Sequence, residues 1–434
     1  MIIKDNKVLS LQEYGSFISI ESASAILGIK SSLFWGLLKS SLGELSRKFP
    51  KESFIETKGF DSFRFTGIAG VIAITKNAKI EIIPKFLSDD NKNWRDDFLH
   101  ISLISRTGHL FPEIRMLTAP SKNADLYEII GEAWLNLFES NSRYLLKSYI
   151  KTCWTDFQID GEVEDEDLIF PTFEGFKQKG LKLSKSNKYN ELLRGASKIL
   201  KSRISNPNNI ARLERALGTL NLALKDEQLI KKNRESLGRD KRWIPILELS
   251  EIILANLSLG FSQYGNSIIP GYILQTHQAW EKLIFIALKK AYPQNKVFKK
   301  NYLLGVRESN QSKIQEMLTT PDVSISDESG IIFILDAKYK EVRDTFTNSS
   351  KVVISATDIY ESLAFSKAVN IKKIYLIYPN KQKLNYDPII NQPLETFTSD
   401  GNFVVGLSVG VDGFANKDGL NILTKNLKTL LDNF

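Results

Sequence analysis

Two charged residues close an otherwise apolar stretch. In Ile331-Ile332-Phe333-Ile334-Leu335-Asp336-Ala337-Lys338-Tyr339, Asp336 and Lys338 stand two residues apart. On a β-strand that spacing places both on one face. Charges at the end of a buried strand carry a desolvation cost that a partner charge or a metal must offset. Upstream lies Pro321-Asp322-Val323-Ser324-Ile325-Ser326, joined to the strand by Asp327-Glu328-Ser329-Gly330. A three-residue hairpin loop, Glu328 to Gly330 with Gly330 left-handed, pairs residue 327 with 331 and sets Asp322 opposite Asp336. A different loop shifts the register by one and separates them. Two facing carboxylates repel unless a cation sits between them, and hard oxygen ligands with open water positions suit Mg²⁺ or Mn²⁺. The expected metal set is Asp322, Asp336 and Ala337. Lys338 could orient or deprotonate an attacking water and neutralise charge building on a phosphate, which is the chemistry of phosphodiester hydrolysis. Glu281, in the helical run Thr276-His277-Gln278-Ala279-Trp280-Glu281-Lys282-Leu283, supplies a third candidate carboxylate. The competing reading is an Asp336 and Lys338 ion pair at a sheet edge, with Asp322 merely starting a strand.

The elements that must position these residues follow from periodicity. Strands are expected at Pro321 to Ser326, Ile331 to Tyr339, Ile374 to Tyr378 and Phe403 to Val409, with helices at Gln275 to Tyr292, Thr357 to Val369 and Gly419 to Leu431. Alternating strand and helix signals define a mixed α/β sheet domain over residues 266–434, after the turn residues Gly265-Asn266-Ser267. Residues 1–115 read as a β-rich segment. Phe63 to Ile74, apolar on both faces over Val71 to Ile74, and Lys79 to Phe86 flank a polar turn at Lys76-Asn77, and a short helix precedes them with Ser22 or Ser24 as its cap. Residues 116–265 read as a mostly helical middle domain. Leu126, Ile129, Ile130, Trp134, Leu137 and Phe138 form one apolar stripe, and helical runs follow at Tyr189 to Ile204, Ile210 to Leu224 and Ile244 to Leu259. The fold class is thus α+β/α multidomain.

Composition sets the frame. At 434 residues the chain is long enough for two or three domains. Its net charge of +8 favours contact with a polyanion, and the charge is concentrated. Nine basic residues lie between Phe176 and Arg203 against one acid, Glu191, and Lys289, Lys290, Lys296, Lys299, Lys300 and Arg307 follow one another with no acid between. Either run taken singly also reads as a solvated face. Cys153 is the only cysteine, which excludes an intramolecular disulfide and a thiolate zinc cluster. His100, His109 and His277 are scattered without metal-ligand spacing, and no G-x-S-x-G elbow occurs. The nearest approach to a P-loop, Gly175 to Lys182, has Leu181 where the phosphate-binding lysine should stand, so the chain is not expected to hydrolyse nucleotides itself. The N-terminus lacks signal-peptide order and no apolar run is long enough for a membrane span; a cytoplasmic location is expected.

The residues then resemble a known family. Pro321-Asp322 with Leu335-Asp336-Ala337-Lys338-Tyr339-Lys340, Trp280-Glu281 ahead of them, and Thr357 to Phe365 followed by Ile374-Tyr375-Leu376-Ile377-Tyr378-Pro379 are similar to the C-terminal PD-(D/E)xK nuclease domain of the McrC family. Gly67-Ile68-Ala69-Gly70-Val71-Ile72 and Ile80-Glu81-Ile82-Ile83-Pro84-Lys85-Phe86 resemble that family's G-x-I and I-x-P-K segments, which physically read as a buried hairpin whose glycines permit close backbone approach. One departure is visible: the family usually carries Gln and Tyr where this chain has Glu361 and Phe365.

The resemblance implies a Mg²⁺-dependent endonuclease subunit, acting on double-stranded DNA in defence against foreign DNA. Its implied partner is a McrB-like AAA+ GTPase ring that consumes the GTP, reads modified cytosine and is stimulated by the segment before the nuclease. The LlaJI type of restriction system, which recognises an unmodified site, is a related possibility. The alternative from another class is a catalytically inactive DNA-binding adaptor that activates the ring.

Overall fold

The computed structural model describes residues 7–48, 53–75, 78–87, 93–107, 125–223, 241–257, 272–309, 312–339, 354–384, 394–416 and 418–433. The 76–77 turn, His109, the 265–267 boundary and Lys340 lie outside these. The chain divides into two compact units: residues 1–126 with 264–434, and residues 127–263. The segments read above as first and third domains therefore belong to one unit.

The reason is a shared sheet. Lys7–Gln12, Ala78–Ile83 and Ile68–Thr75 form three strands, and Ile273–Gln275 adds a fourth beside Ile68–Thr75 before leading into the Thr276–Ala291 helix. Ile68–Thr75 is buried along nearly its whole length. The Phe63 to Ile74 run is not one strand: Gly67, at φ 68°, breaks it into Ser62–Phe65 and Ile68–Thr75, which lie in different sheets. The preceding helix, Ile20–Leu27, begins earlier than expected and is capped by Ser19, whose hydroxyl accepts the Ser22 N–H at 3.0 Å.

The second sheet of this unit has six strands in the order Lys296–Phe298, Val323–Asp327, Gly330–Ala337, Lys373–Lys383, Asn402–Asp412 and Glu395–Ser399. The three central strands, Gly330–Ala337, Lys373–Lys383 and Asn402–Asp412, run parallel to one another and the rest pair antiparallel. The Ala356–Val369 helix covers one face through Phe365, packed with Ile334 and Ile374. Trp280 anchors the Thr276–Ala291 helix: it is fully buried and its indole N–H donates to the Ile377 carbonyl at 3.1 Å. A hairpin, Tyr302–Ser309 with Ser312–Thr319, also belongs here and was not anticipated.

The second unit is less helical than its periodicity suggested. Helices Lys188–Lys201, Pro207–Ala223 and Ile244–Leu257 are joined by a three-stranded sheet of Ser148–Asp156, Phe176–Ser184 and Glu162–Val163. Its core includes Trp134 stacked on Phe138 at 5.2 Å. The Gly175 to Lys182 stretch lies mainly in one of these strands, not in a loop that opens a helix. None of the described helices is long and apolar enough to cross a membrane.

Gly70 shows why glycine is required in the shared sheet. Its φ is +126°, and a Cβ there would overlap the Tyr272 carbonyl oxygen, which already accepts the Val71 N–H at 2.9 Å. Gly70→Ala should therefore cost about 3 kcal/mol or more, read as a lower midpoint in urea unfolding followed by tryptophan fluorescence. An unchanged midpoint would mean that the close approach of these two strands is not needed.

Candidate functional site

The hairpin that carries Asp322 and Asp336 reaches its register in two steps. Its turn is two residues long, with Asp327 paired to Gly330, and Gly330 has φ +124°. That turn alone would set Asp322 opposite Leu335. A β-bulge at Ile332 then restores the missing residue, so Val323 pairs with Leu335 and the next step of the ladder opposes Asp322 to Asp336. The three-residue loop expected from sequence is replaced by a shorter turn plus a bulge, and the two carboxylates still face each other.

Asp336 is nearly buried and its Oδ2 lies 2.5 Å from Lys338 Nζ. Burial, together with the charge of Asp322, raises the Asp336 carboxyl to about 6 although Lys338 opposes the shift. Asp322 Oδ2 accepts the Ala337 N–H at 2.9 Å, and its Oδ1 lies 3.0 Å from Lys299 Nζ. Lys338 also meets Glu361 at 2.5 Å and Asp358 at 3.6 Å. Burial disfavours its charge, but Asp336 and Glu361 outweigh that and hold its pKa above the ordinary lysine value. Lys338 is therefore an ammonium at neutral pH.

Glu281 joins the cluster through Lys299, 2.6 Å away. Of the two positions that depart from the family pattern, Glu361 reaches Lys338, whereas Phe365 is a core residue packed against Ile334. Asp358 and Tyr378 were not singled out from sequence. Asp358 is buried, accepts the Tyr378 hydroxyl at 3.3 Å and forms a reciprocal cap with Ser355, whose Oγ donates to Asp358 Oδ2 at 2.7 Å. The signal for it was present: Ser355-Ala356-Thr357-Asp358 has capping-box spacing with Asp in the acidic position. Burial and Asp358 together raise the Tyr378 hydroxyl far above its usual value, which keeps it a proton donor. His100 is a packing residue, its Nδ1 2.8 Å from the Asp96 carbonyl.

Among the described residues no three carboxylate, imidazole or thiolate side chains converge as a metal site. The opposed pair Asp322 and Asp336 is compatible with Mg²⁺ all the same, because that ion is commonly held by one or two carboxylates with water and substrate oxygens completing its shell.

Fold and site together define a mixed α/β multidomain protein with opposed acids and a lysine at the end of its central strands. Residues 63–379 match the family model described as McrBC 5-methylcytosine restriction system component. The chain belongs to that family, as a McrC-type component of a McrBC restriction system. No curated protein matches it. Among solved structures, the refined half-complex from a tetradecameric assembly of Thermococcus gammatolerans McrB AAA+ hexamers with bound McrC is similar at TM-score 0.68 and 15% identity, over 98% of this chain and 99% of that one. The Thermococcus gammatolerans McrBC complex matches at TM-score 0.48 and 14% identity, over 65% and 88%. At such identities the first likeness speaks for a shared fold.

The raised Asp336 carboxyl has a consequence for stability. A carboxyl whose folded pKa exceeds its unfolded value contributes stability that is complete below the unfolded pKa and is lost as pH rises through the folded one, here from about 4 to about 6. Without divalent ions, Asp336→Asn should remove that fall and leave the protein more stable than wild type near pH 8, by about 3 kcal/mol at most. Urea titrations across this range in EDTA give the answer, and parallel curves for the two proteins would show that Asp336 is not the group responsible.

Proposed function

We propose that the chain is the Mg²⁺-dependent endonuclease subunit of a GTP-driven McrBC-like complex, its residues 266–434 forming a PD-(D/E)xK nuclease domain that cuts double-stranded DNA. The observation that carries this reading is the opposition of Asp322 to Asp336 with Lys338 on the same face as Asp336. Asp322, Asp336 and the backbone at Ala337 would hold Mg²⁺, or Mn²⁺ in its place. Bound there, the ion would supply Lewis-acid polarisation of the scissile phosphate.

The remaining chemistry belongs to the chain's own groups. In the metal-free centre Asp336 and Glu361 hold Lys338 in its charged form. Its ammonium orients the water and offsets negative charge developing on the phosphate oxygens. Glu361 and Asp358 fix that ammonium in place. Lys289, Lys290, Lys296 and Lys300 provide cations for flanking phosphates.

A McrB-like AAA+ GTPase ring is the proposed partner. The solved assembly that shares this fold contains McrB hexamers with bound McrC, and Leu181 stands where a P-loop lysine would be needed for this chain to use GTP itself. Residues 116–265 are the proposed docking and stimulating segment.

The chain should be mixed with its GTPase partner, DNA, GTP and Mg²⁺, and wild type compared with Asp336→Ala and Lys338→Ala. Both variants should cut at least ~100-fold more slowly while partner GTP turnover still rises. Cleavage by the variants at the wild-type rate would remove these residues from the site. Increased GTP turnover with no cleavage even by wild type would replace the nuclease with an activating adaptor.

A further inference from the structure

Two acids on separate elements share one lysine. Glu281 sits on the Thr276–Ala291 helix and Asp322 immediately precedes the Val323–Asp327 strand, and the Lys299 ammonium lies 2.6 Å from the first and 3.0 Å from the second. Its placement is dictated by the sheet. Lys299 follows the edge strand Lys296–Phe298, one step past the pair Phe298 and Ser324, which brings residue 299 alongside the start of the Asp322 strand.

The centre thus holds two lysines of different character. Lys338 is enclosed, its side chain 13% exposed, between Asp336, Glu361 and Asp358. Lys299 is 43% exposed and stands on a flexible four-carbon stem at the rim. It can swing into solvent at the loss of two partly screened ion pairs, which Lys338 cannot do without stranding a buried charge. Burial opposes the Lys299 charge, yet Glu281 and Asp322 more than compensate, so the group beside Asp322 is a full cation.

We propose that Lys299 is a resident counter-ion of the metal-free centre, occupying Asp322 and Glu281 until a divalent ion displaces it. This rests on the reading of Asp322 and Asp336 as metal ligands. An ammonium and a divalent cation cannot both sit against the same Asp322 oxygen, because like charges at that distance repel strongly in a partly buried site. The ion must therefore evict the lysine, and the eviction lowers its apparent affinity. Without metal, the same contact spares Glu281 and Asp322 their mutual repulsion and keeps the acids assembled. The arrangement sets a threshold of divalent ion below which the centre stays closed on itself.

The test is direct binding of Mn²⁺ to the full chain without DNA, followed by the electron paramagnetic resonance signal of the free ion at near-neutral pH and fixed ionic strength. Lys299→Gln should bind Mn²⁺ on the order of three- to tenfold more tightly than wild type, the size expected for removing two partly exposed ion pairs. Lys299→Arg, which keeps the charge, should bind as wild type does, and Asp336→Asn should lose the tight site. If Asp336→Asn loses binding while Lys299→Gln binds no better than wild type, the counter-ion proposal fails and the metal reading stands. Equal tightening by Lys299→Arg would show that charge is not the cause and would also overturn it. Wild-type binding by Asp336→Asn would remove the metal site, and the proposal with it.

Discussion

The Glu13 carboxylate is 1% exposed and has three donors from three different parts of the chain. Thr276 Oγ1 donates to Oε1 at 2.6 Å, while the Tyr339 hydroxyl and the Lys85 N–H donate to Oε2 at 2.5 and 3.2 Å. Thr276 opens the helix that bears Glu281, and Tyr339 directly follows Lys338. One buried acid therefore fixes both the start of the supporting helix and the end of the central strand. Burial raises its pKa, and the three donors oppose that shift. Removing the Thr276 hydroxyl would strand Oε1 as a buried acceptor, which costs more than an average hydrogen bond contributes. Lys85 closes the joint from the other side: its Nζ donates to the Tyr339 carbonyl at 2.7 Å and lies 4.0 Å from that ring's centre. The β-rich N-terminal segment is thus part of the frame that holds the candidate site.

Two buried acids in this unit show how differently such charges can be accommodated. Glu81, fully buried, is met by the Arg95 guanidinium at 2.6 Å and by the Leu126 N–H at 3.0 Å. A planar fork and a main-chain donor saturate that carboxylate, and it works as a structural tie. Asp336 has a lysine instead and faces a second carboxylate, and its pKa rises. A carboxyl held where ionisation is unfavourable stores a demand for positive charge, and such demands concentrate at functional sites. The contrast separates the I-x-P-K segment, whose charges serve the frame, from the D-x-K segment, whose aspartate is under-compensated.

Much of this was legible in the sequence because long periodic segments carry their own assignment. The four strands and three helices expected in residues 266–434 all occur, within a few residues of their expected ends. What escaped notice depended on context. Ser148–Asp156 and Phe176–Ser184 pair over nine residues with largely exposed side chains, so no buried face stamped a period on them. The Tyr302–Ser309 and Ser312–Thr319 hairpin failed to register for the same reason. Lys299 read as one of six clustered cations, and only the pairing of its strand with Val323–Asp327 shows that it belongs between two acids. Glu13 and Tyr339 are 326 positions apart, and no local pattern can announce a bond of that range.

The bulge at Ile332 explains why the charged pair could be placed correctly from a mistaken loop. Ile331 and Ile334 both pack into the cluster around Phe365, yet on a regular strand residues three apart point to opposite faces. The extra residue reverses the alternation once, so Ile331 meets that cluster from the turn side and Ile334, Asp336 and Lys338 follow on the same face beyond it. Apolar burial of Ile331 and Ile334 against one helix therefore demands one additional residue between them, and the bulge at Ile332 supplies it. A three-residue loop at the tip would give the same opposition of Asp322 to Asp336 but leave Ile331 and Ile334 on opposite faces. Either way the count from Asp327 to Asp322 and from the turn to Asp336 comes out equal. The opposition of the two carboxylates is a by-product of keeping Ile331 and Ile334 against the same helix, which ties the geometry of the candidate site to the packing of the core beneath it.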